Sequence, residues 1–273
     1  MNTATSNGAW HSVVTLPETR RLIKPRTNGI TMVIDKGLGL REIRDLLEMA
    51  ADHIDFLKIA FGSSALYPSE IMKEKIALTK EYGIDVYPGG TLFEIAVFQG
   101  CIKEFFHRAR ELGFTYIEVS EGTIELPRKD RAQFIRMAKA EGFGVLSEIG
   151  KKDPTIKIQP DQAIEQIFED LQNGAEKVII EGRDSGKGVG IYNAEGKIND
   201  DLLHALVNGV KDHSHLIIEA PQTSQHNYLL VHLGPNVNLG NVQPHDVLTL
   251  ESTRVGLRGD TLKECLKSAP RSY

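Results

Sequence analysis

Four apolar runs in the middle of this 273-residue chain each end on a glutamate: Ile117-Glu118, Ser147-Glu148, Ile180-Glu181 and Ile218-Glu219. Successive glutamates lie 30, 33 and 38 residues apart, about the length of one strand–loop–helix–loop unit. Strands joined by crossover helices run parallel, so their carboxyl ends gather at one rim. The repeat therefore places a ring of carboxylates around a common cavity. Burying like charges together is costly unless cations share the space. The pattern predicts an enzyme, and one that uses a metal.

The repeat continues on both sides of the glutamates. Short apolar runs at Ile30–Ile34, Ile54–Ile59, Ile84–Tyr87, Tyr116–Val119, Val145–Ile149, Val178–Ile180 and Leu216–Ile218, with a weaker eighth at Asn236–Leu239, read as buried parallel strands. Helical patterns at Leu40–Met49, Ser69–Tyr82, Phe93–Leu112, Asp130–Ala140, Asp161–Leu171, Asp200–Val210, Ser224–Leu233 and His245–Leu257 alternate with them. Gly113, Gly142 and Gly174 stand where left-handed caps would end three of the helices. Eight such alternations predict a single (β/α)8 TIM barrel over residues 26–262, with an N-terminal extension at 1–25 and a C-terminal tail at 263–273. An open doubly wound sheet is the alternative, but no G-x-G-x-x-G follows the first strand.

A net charge of −5 offers no general attraction for nucleic acid or membrane surfaces. The two cysteines, Cys101 and Cys265, are far apart and lack the spacing of a zinc, iron–sulfur or disulfide framework. No apolar run approaches the roughly 20 residues that span a bilayer. The N-terminus does not read as a signal peptide, so a cytoplasmic protein is expected. The nine histidines fall mostly in or beside predicted helices and receive no catalytic assignment.

Barrels of this type place their chemistry at the carboxyl ends of the strands. Those positions hold Asp35 and Lys36, Lys58, Gly89 to Thr91, Glu118, Ser120 and Glu121, then Glu148, Lys151 and Lys152. The last three strands add Glu181, Arg183, Ser185 and Lys187, then Glu219 and Gln222, and finally Asn238 and Asn241. Any one glutamate could be half of a structural ion pair, but all four with Asp35 outnumber the cations that face them. Hard carboxylate oxygens without clustered His or Cys favour Mg²⁺ over zinc. Mg²⁺ takes one or two protein carboxylates when a substrate also binds, so the remaining acids should pair with Lys58, Lys152 or Arg183. Glu148 and Glu181 are the first choices as metal ligands, Asp35 and Glu118 follow, and Glu219 reads as a partner for a nearby cation.

Strand alternation separates the two lysines after the fifth strand: if Glu148 points inward, so does Lys152, and Lys151 does not. A lysine beside carboxylates and a metal can act as a general acid or base. Lys58 is the second catalytic candidate, in an ion pair or on a substrate carboxylate. As a rival chemistry it could form a Schiff base, although adjacent acids would keep it protonated. The segment from Glu181 to Gly190 carries four glycines around Arg183, which suits an anion-binding loop or a mobile lid.

Thr31-Met-Val-Ile-Asp-Lys-Gly37, Val86-Tyr-Pro-Gly-Gly-Thr-Leu-Phe-Glu94, Glu148-Ile-Gly-Lys-Lys152, Ile180-Glu-Gly-Arg-Asp-Ser-Gly-Lys-Gly188, Glu219-Ala-Pro-Gln222 and Val255-Gly-Leu-Arg-Gly-Asp-Thr261 together resemble the phosphosulfolactate synthase family. The likeness runs over about residues 26–262. It implies a (β/α)8 barrel that adds sulfite to phosphoenolpyruvate with Mg²⁺, giving (2R)-phospho-3-sulfolactate, the start of coenzyme M synthesis in methanogenic archaea. It implies further that the family's proposed general-acid lysine falls on Lys152. The match extends to Asp35, Lys58, Glu118, Glu148, Glu181 and Arg183. On this reading Arg183, Ser185 and Lys187, helped by Gln222 and Asn241, hold phosphate and sulfite. A homo-oligomer is left open. Some plant heat-stress-associated proteins share the resemblance, so a non-catalytic, stress-related role is the competing expectation.

Overall fold

The computed structural model describes residues 8–268; the first seven residues of the expected extension and the last five of the expected tail lie outside the described residues. Eight strands, β1 (Thr31–Asp35), β2 (Phe56–Ile59), β3 (Asp85–Pro88), β4 (Tyr116–Val119), β5 (Gly144–Ile149), β6 (Lys177–Ile180), β7 (Leu216–Glu219) and β8 (Leu239–Val242), form one sheet. Its hydrogen-bonded order is β3-β2-β1-β8-β7-β6-β5-β4, and all seven pairings are parallel. The sheet curls into a nearly closed (β/α)8 barrel. At the seam, β3 and β4 exchange no ladder. They are joined by Thr115 N–H donating to the Val86 carbonyl and, at the rim, by Gly90 N–H donating to Glu118 Oε1 at 2.8 Å.

Among the described residues ten α-helices surround the strands: α1 (Leu40–Ala50), α2 (Ser69–Glu81), α3 (Gly90–Phe98), α4 (Ile102–Leu112), α5 (Arg128–Ala140), α6 (Pro160–Asn173), α7 (Asp200–Val210), α8 (Thr223–Leu233), α9 (Val247–Arg254) and α10 (Gly259–Ser268). The helix expected over Phe93–Leu112 is broken at Gln99–Cys101, where Gly100 turns left-handed at φ +69°. The helix expected at His245–Leu257 is the shorter α9, preceded by a 3-10 turn at Pro244–Asp246, and α10 follows it and crosses residue 262. The eighth strand starts at Leu239 rather than Asn236 because the asparagines before it serve as brackets. Asn236 Oδ1 accepts from Leu22 N, while Asn238 accepts from Ile30 N and donates to two carbonyls.

Strand alternation builds two cores. Val33, Leu57, Ile117, Val145, Val178 and Ile218 face the helices, which answer with buried residues such as Ile43, Ile76, Ile135 and Leu203. Met32, Phe56, Tyr87, Leu146, Ile179 and Ile217 fill the barrel interior. Each such side chain contributes roughly 1.5–3 kcal/mol on burial. Two residues beyond Phe56, Tyr116, Leu146, Ile179 and Ile217 stand Lys58, Glu118, Glu148, Glu181 and Glu219. An apolar layer therefore lies directly beneath a charged one.

The opposite end is crossed by the chain before β1. Arg21 donates to both Glu251 oxygens at 2.9 Å and to the Gly29 carbonyl. Lys24 Nζ donates to the carbonyls of Ala51, Ile54 and Tyr82, and Arg26 Nε donates to Asp55. The latter part of the expected extension thus packs as part of the barrel.

Candidate active site

Five buried carboxylates, Glu94, Glu118, Glu148, Glu181 and Glu219, surround two lysine ammonium groups at the carboxyl ends of the strands. Lys58 Nζ donates to Glu219 Oε1 at 2.9 Å. It lies 3.0 Å from Glu118 Oε2, at an angle that makes an ion pair but no hydrogen bond, and 3.7 Å from Glu148 Oε2. Burial alone would lower the Lys58 pKa, but Glu118 and Glu219 outweigh it and hold the ammonium well above its ordinary value. An ammonium held this way disfavours the neutral amine a Schiff base needs.

Glu148, Glu181 and Glu219 each direct one oxygen into a cluster whose members lie within 4.8 Å of one another. Glu181 Oε1 accepts from Arg183 N at 2.6 Å and Glu219 Oε2 from Gly182 N at 2.9 Å, while Glu181 Oε2 is buried without a donor. Burial, reinforced by Glu148 and Glu219, pushes the Glu181 carboxyl well above its ordinary value. Burial also raises Glu118, to about 7, with Lys58 opposing. For Glu148, burial is outweighed by Lys58 and Lys152, and its carboxyl is lowered. The surplus of negative charge and the orphaned oxygen fit a hard divalent cation.

Lys152 stands on the seam side of this cluster. Its Nζ donates to Thr91 Oγ1 at 3.1 Å and lies 3.6 Å from Glu94 Oε1. Burial would lower its pKa, but Glu148, Glu181 and Glu94 outweigh it, so Lys152 keeps its proton. Lys151 points away, bracing the loop after β4 through the carbonyls of Glu121 and Ile124. Ser120 Oγ lies 2.7 Å from Glu94 Oε1 and 2.8 Å from Glu148 Oε1, and its one proton serves one of them at a time.

Asp35, expected among the metal ligands, is not in the cluster. It shares the outward face of β1 with Val33, meets Lys75 of α2 at 2.5 Å, and accepts from Gly37 N and Leu38 N. Glu118 is also outside the three-carboxylate group, since its oxygens go to Gly90 N and Lys58. Glu219 belongs to that group as well as being the expected cation partner.

The loop after β6 is tied to its neighbours by side-chain amides. Gln222 Nε2 donates to the Ser185 carbonyl, and Gln225 Nε2 donates to the carbonyls of Gly186 and Gly196. Asn241 Nδ2 donates to the Arg183 carbonyl at 3.0 Å. The amide donors of Gln222 and Asn241, expected on phosphate, therefore hold the loop. Arg183, Ser185 and Lys187 are exposed along it. Arg183 and Asn241 are both left-handed, at φ +58° and +53°, a strain commonly kept at functional rims. Lys36 reaches across the mouth to Asp184 at 3.4 Å.

Three contributors stand on helices and carry no strand-end signature. Glu94 and Lys75 are two of them. The third is Arg131 of α5, which pairs with Asp170 and donates to the Glu148 carbonyl at 2.9 Å. His213 and His215, an H-x-H pair, precede β7 at the far end of the barrel.

A (β/α)8 barrel whose strand ends bring buried acids and lysines together has the kind of site that barrel enzymes carry. Residues 19–260 match the family described as (2R)-phospho-3-sulfolactate synthase (ComA). The chain is 44% identical to the phosphosulfolactate synthase of Methanothermobacter thermautotrophicus over 88% of this chain and 93% of that protein. It is 39% identical to the phosphosulfolactate synthase of Bacillus subtilis over 88% of this chain and 95% of the relative. Identity to the protein HEAT-STRESS-ASSOCIATED 32 of Arabidopsis thaliana is 24%, over 85% and 87%. The chain belongs to the phosphosulfolactate synthase family and is an enzyme. Among the described residues no helix is long and apolar enough to cross a membrane.

Proposed function

We propose that this enzyme adds sulfite to phosphoenolpyruvate, giving (2R)-phospho-3-sulfolactate, with Mg²⁺ held by Glu148, Glu181 and Glu219. The observation that carries the reading is the convergence of a protonated Lys152 with three clustered carboxylates in a chain of this family. Bound among those oxygens, Mg²⁺ supplies positive charge that stabilises a substrate carboxylate as it gains a second negative charge.

The sulfur lone pair of sulfite forms the C–S bond at the methylene carbon. The C=C π pair moves toward the carboxylate, creating an enediolate, and no bond to phosphate breaks. Lys152 Nζ then gives its proton to carbon 2. The amine left behind regains a proton from water, which its 28%-exposed side chain can reach. Lys58, tied to Glu118 and Glu219, stays an ammonium and holds those acids in place. Arg183, Ser185 and Lys187, exposed on the pinned loop, give the mouth a cationic and polar edge for phosphate and sulfite.

The test is direct. Purified protein, phosphoenolpyruvate, sulfite and Mg²⁺ should yield phosphosulfolactate, lost on chelation and restored by Mg²⁺. No product from any divalent metal would sink the reading and leave the stress-related role in its place.

A further inference from the structure

We propose that Glu94 is a positioning residue: it holds the Lys152 ammonium where the proton is delivered, and so fixes the face of carbon 2 that receives it. This role rests on the reading of Lys152 as proton donor.

Glu94 lies on α3 and is 2% exposed. It is not one of the three clustered carboxylates. Its Oε2 accepts from Thr123 N at 3.1 Å, and its Oε1 lies 2.7 Å from Ser120 Oγ, whose one proton it shares with Glu148, so the carboxylate is tied to the loop after β4. Its remaining contact is Lys152 Nζ, 3.6 Å from Oε1.

Lys152 is held along its whole length. Its backbone N–H donates to the Gly122 carbonyl at 2.9 Å. Its stem lies flat over Gly122, where a β-carbon would come within 3.0–3.2 Å of Cγ, Cε and Nζ. Its Nζ donates to Thr91 Oγ1. Thr91 and Glu94 are three residues apart on α3 and share a helix face. The first turn of α3 therefore offers a hydroxyl and a carboxylate to one ammonium.

A free lysine samples many rotamers, and a misplacement of about 1 Å at a reacting group can cost about 10²-fold in rate. Restraining that freedom matters here because protonation at carbon 2 creates the stereocentre.

The experiment compares the wild type with Glu94→Gln, Thr91→Val and Lys152→Ala in the sulfite addition assay. It reads kcat, KM for phosphoenolpyruvate and the stereochemistry of the product at carbon 2. For Glu94→Gln the expected result is a fall in kcat of about 10- to 100-fold, a nearly unchanged KM, and (2S) product beside (2R). Thr91→Val should move in the same direction by less. Full rate and pure (2R) product from Glu94→Gln would overturn the role. So would a rate loss that only follows the folded fraction, with (2R) purity intact. If Glu94→Gln does not fold, Thr91→Val decides, and wild-type rate with pure (2R) product overturns the role. If Lys152→Ala itself keeps rate and stereochemistry, the proton-donor reading fails. If it loses both while Glu94→Gln loses neither, only the role of Glu94 fails.

Discussion

At the amino-terminal end of the barrel, Arg21 meets Glu251, Arg26 meets Asp55, and Lys24 and Arg254 spend their donors on backbone carbonyls. At the carboxyl-terminal end, five buried acids share Lys58 and Lys152. Both ends bury ions. The first has more cations than acids and gives most of their donors to carboxylates and backbone carbonyls, with Arg26 Nη2 and Arg254 Nε left over. The second has more acids than cations. A buried charge is tolerated when paired and hydrogen-bonded, and is costly otherwise. The lower network therefore reads as structure. The upper surplus is held against the interests of stability, which is the mark of a site completed by something outside the chain.

The largest expected effect separates the ends by activity. Lys152→Ala should lower kcat by about 10²–10⁴-fold, the usual worth of a positioned general acid. Its unfolding midpoint should fall by less than that of a fully buried pair, because the loss of its charge beside Glu94 is softened by a 28%-exposed side chain. A variant that unfolds at much lower temperature would place Lys152 with the structural ions and break the comparison.

The converse lies below. Arg21→Ala leaves Glu251 buried with its main partner gone, and should cost about 3–5 kcal/mol. Turnover per folded molecule should stay at the wild-type level. Denaturant titration beside active-site-normalised kinetics checks both halves, and a large loss of turnover in folded protein would join the two ends functionally.

The acid ring is legible in the sequence because alternation is strict in short buried strands: a glutamate two residues beyond an inward apolar side chain also points inward. The same rule, applied to Asp35, would have placed it with Val33 on the outer face; its nearness to a strand end conceals this. Lys152 and Lys151 separate by the same alternation. Glu94, Lys75 and Arg131 are not legible in this way, since which neighbour a helix residue meets depends on the angle at which its helix packs: Lys75 meets Asp35, and Arg131 meets Asp170 and the Glu148 carbonyl behind the strands. Glu94 reaches the seam because α3 begins directly after β3 at Gly90, where any larger residue would overlap Glu118 and Ser120. The pinned loop is likewise hidden: Gln222 and Gln225 sit three apart at the start of α8, and their partners are backbone carbonyls that no side-chain pattern announces.

A smaller effect concerns His226, packed behind the β7 rim with its Nε2 on the Ala220 carbonyl. Burial holds the imidazole down to about 4. An unfolded histidine takes up its proton near pH 6.5, and the folded one only near the lower value. Stability is therefore complete above about pH 6.5 and falls as the pH drops toward 4, by up to about 3 kcal/mol. His226→Gln should flatten that acid limb in urea titrations across the range. An unchanged limb would assign the acid sensitivity to the carboxylates instead.

A change of about this small size carries the opposite sign. Glu181 is pushed up by burial and then by Glu148 and Glu219, and its Oε2 has no donor. Glu181→Gln keeps the shape and removes one of three mutually repelling acids. In chelator it should stabilise the fold by on the order of 1 kcal/mol, about one pKa unit's worth, while activity falls. With Mg²⁺ the order should reverse. A ligand bound only by the folded state adds about 2.7 kcal/mol at 100 times its Kd, and the wild type should gain more of this than the variant. Melting curves with chelator and with Mg²⁺ give all four values. Equal Mg²⁺ gains in both proteins would remove Glu181 from the cation site. A variant destabilised in chelator would mean that the upper acids, like the lower ones, are already matched by the protein's own charges.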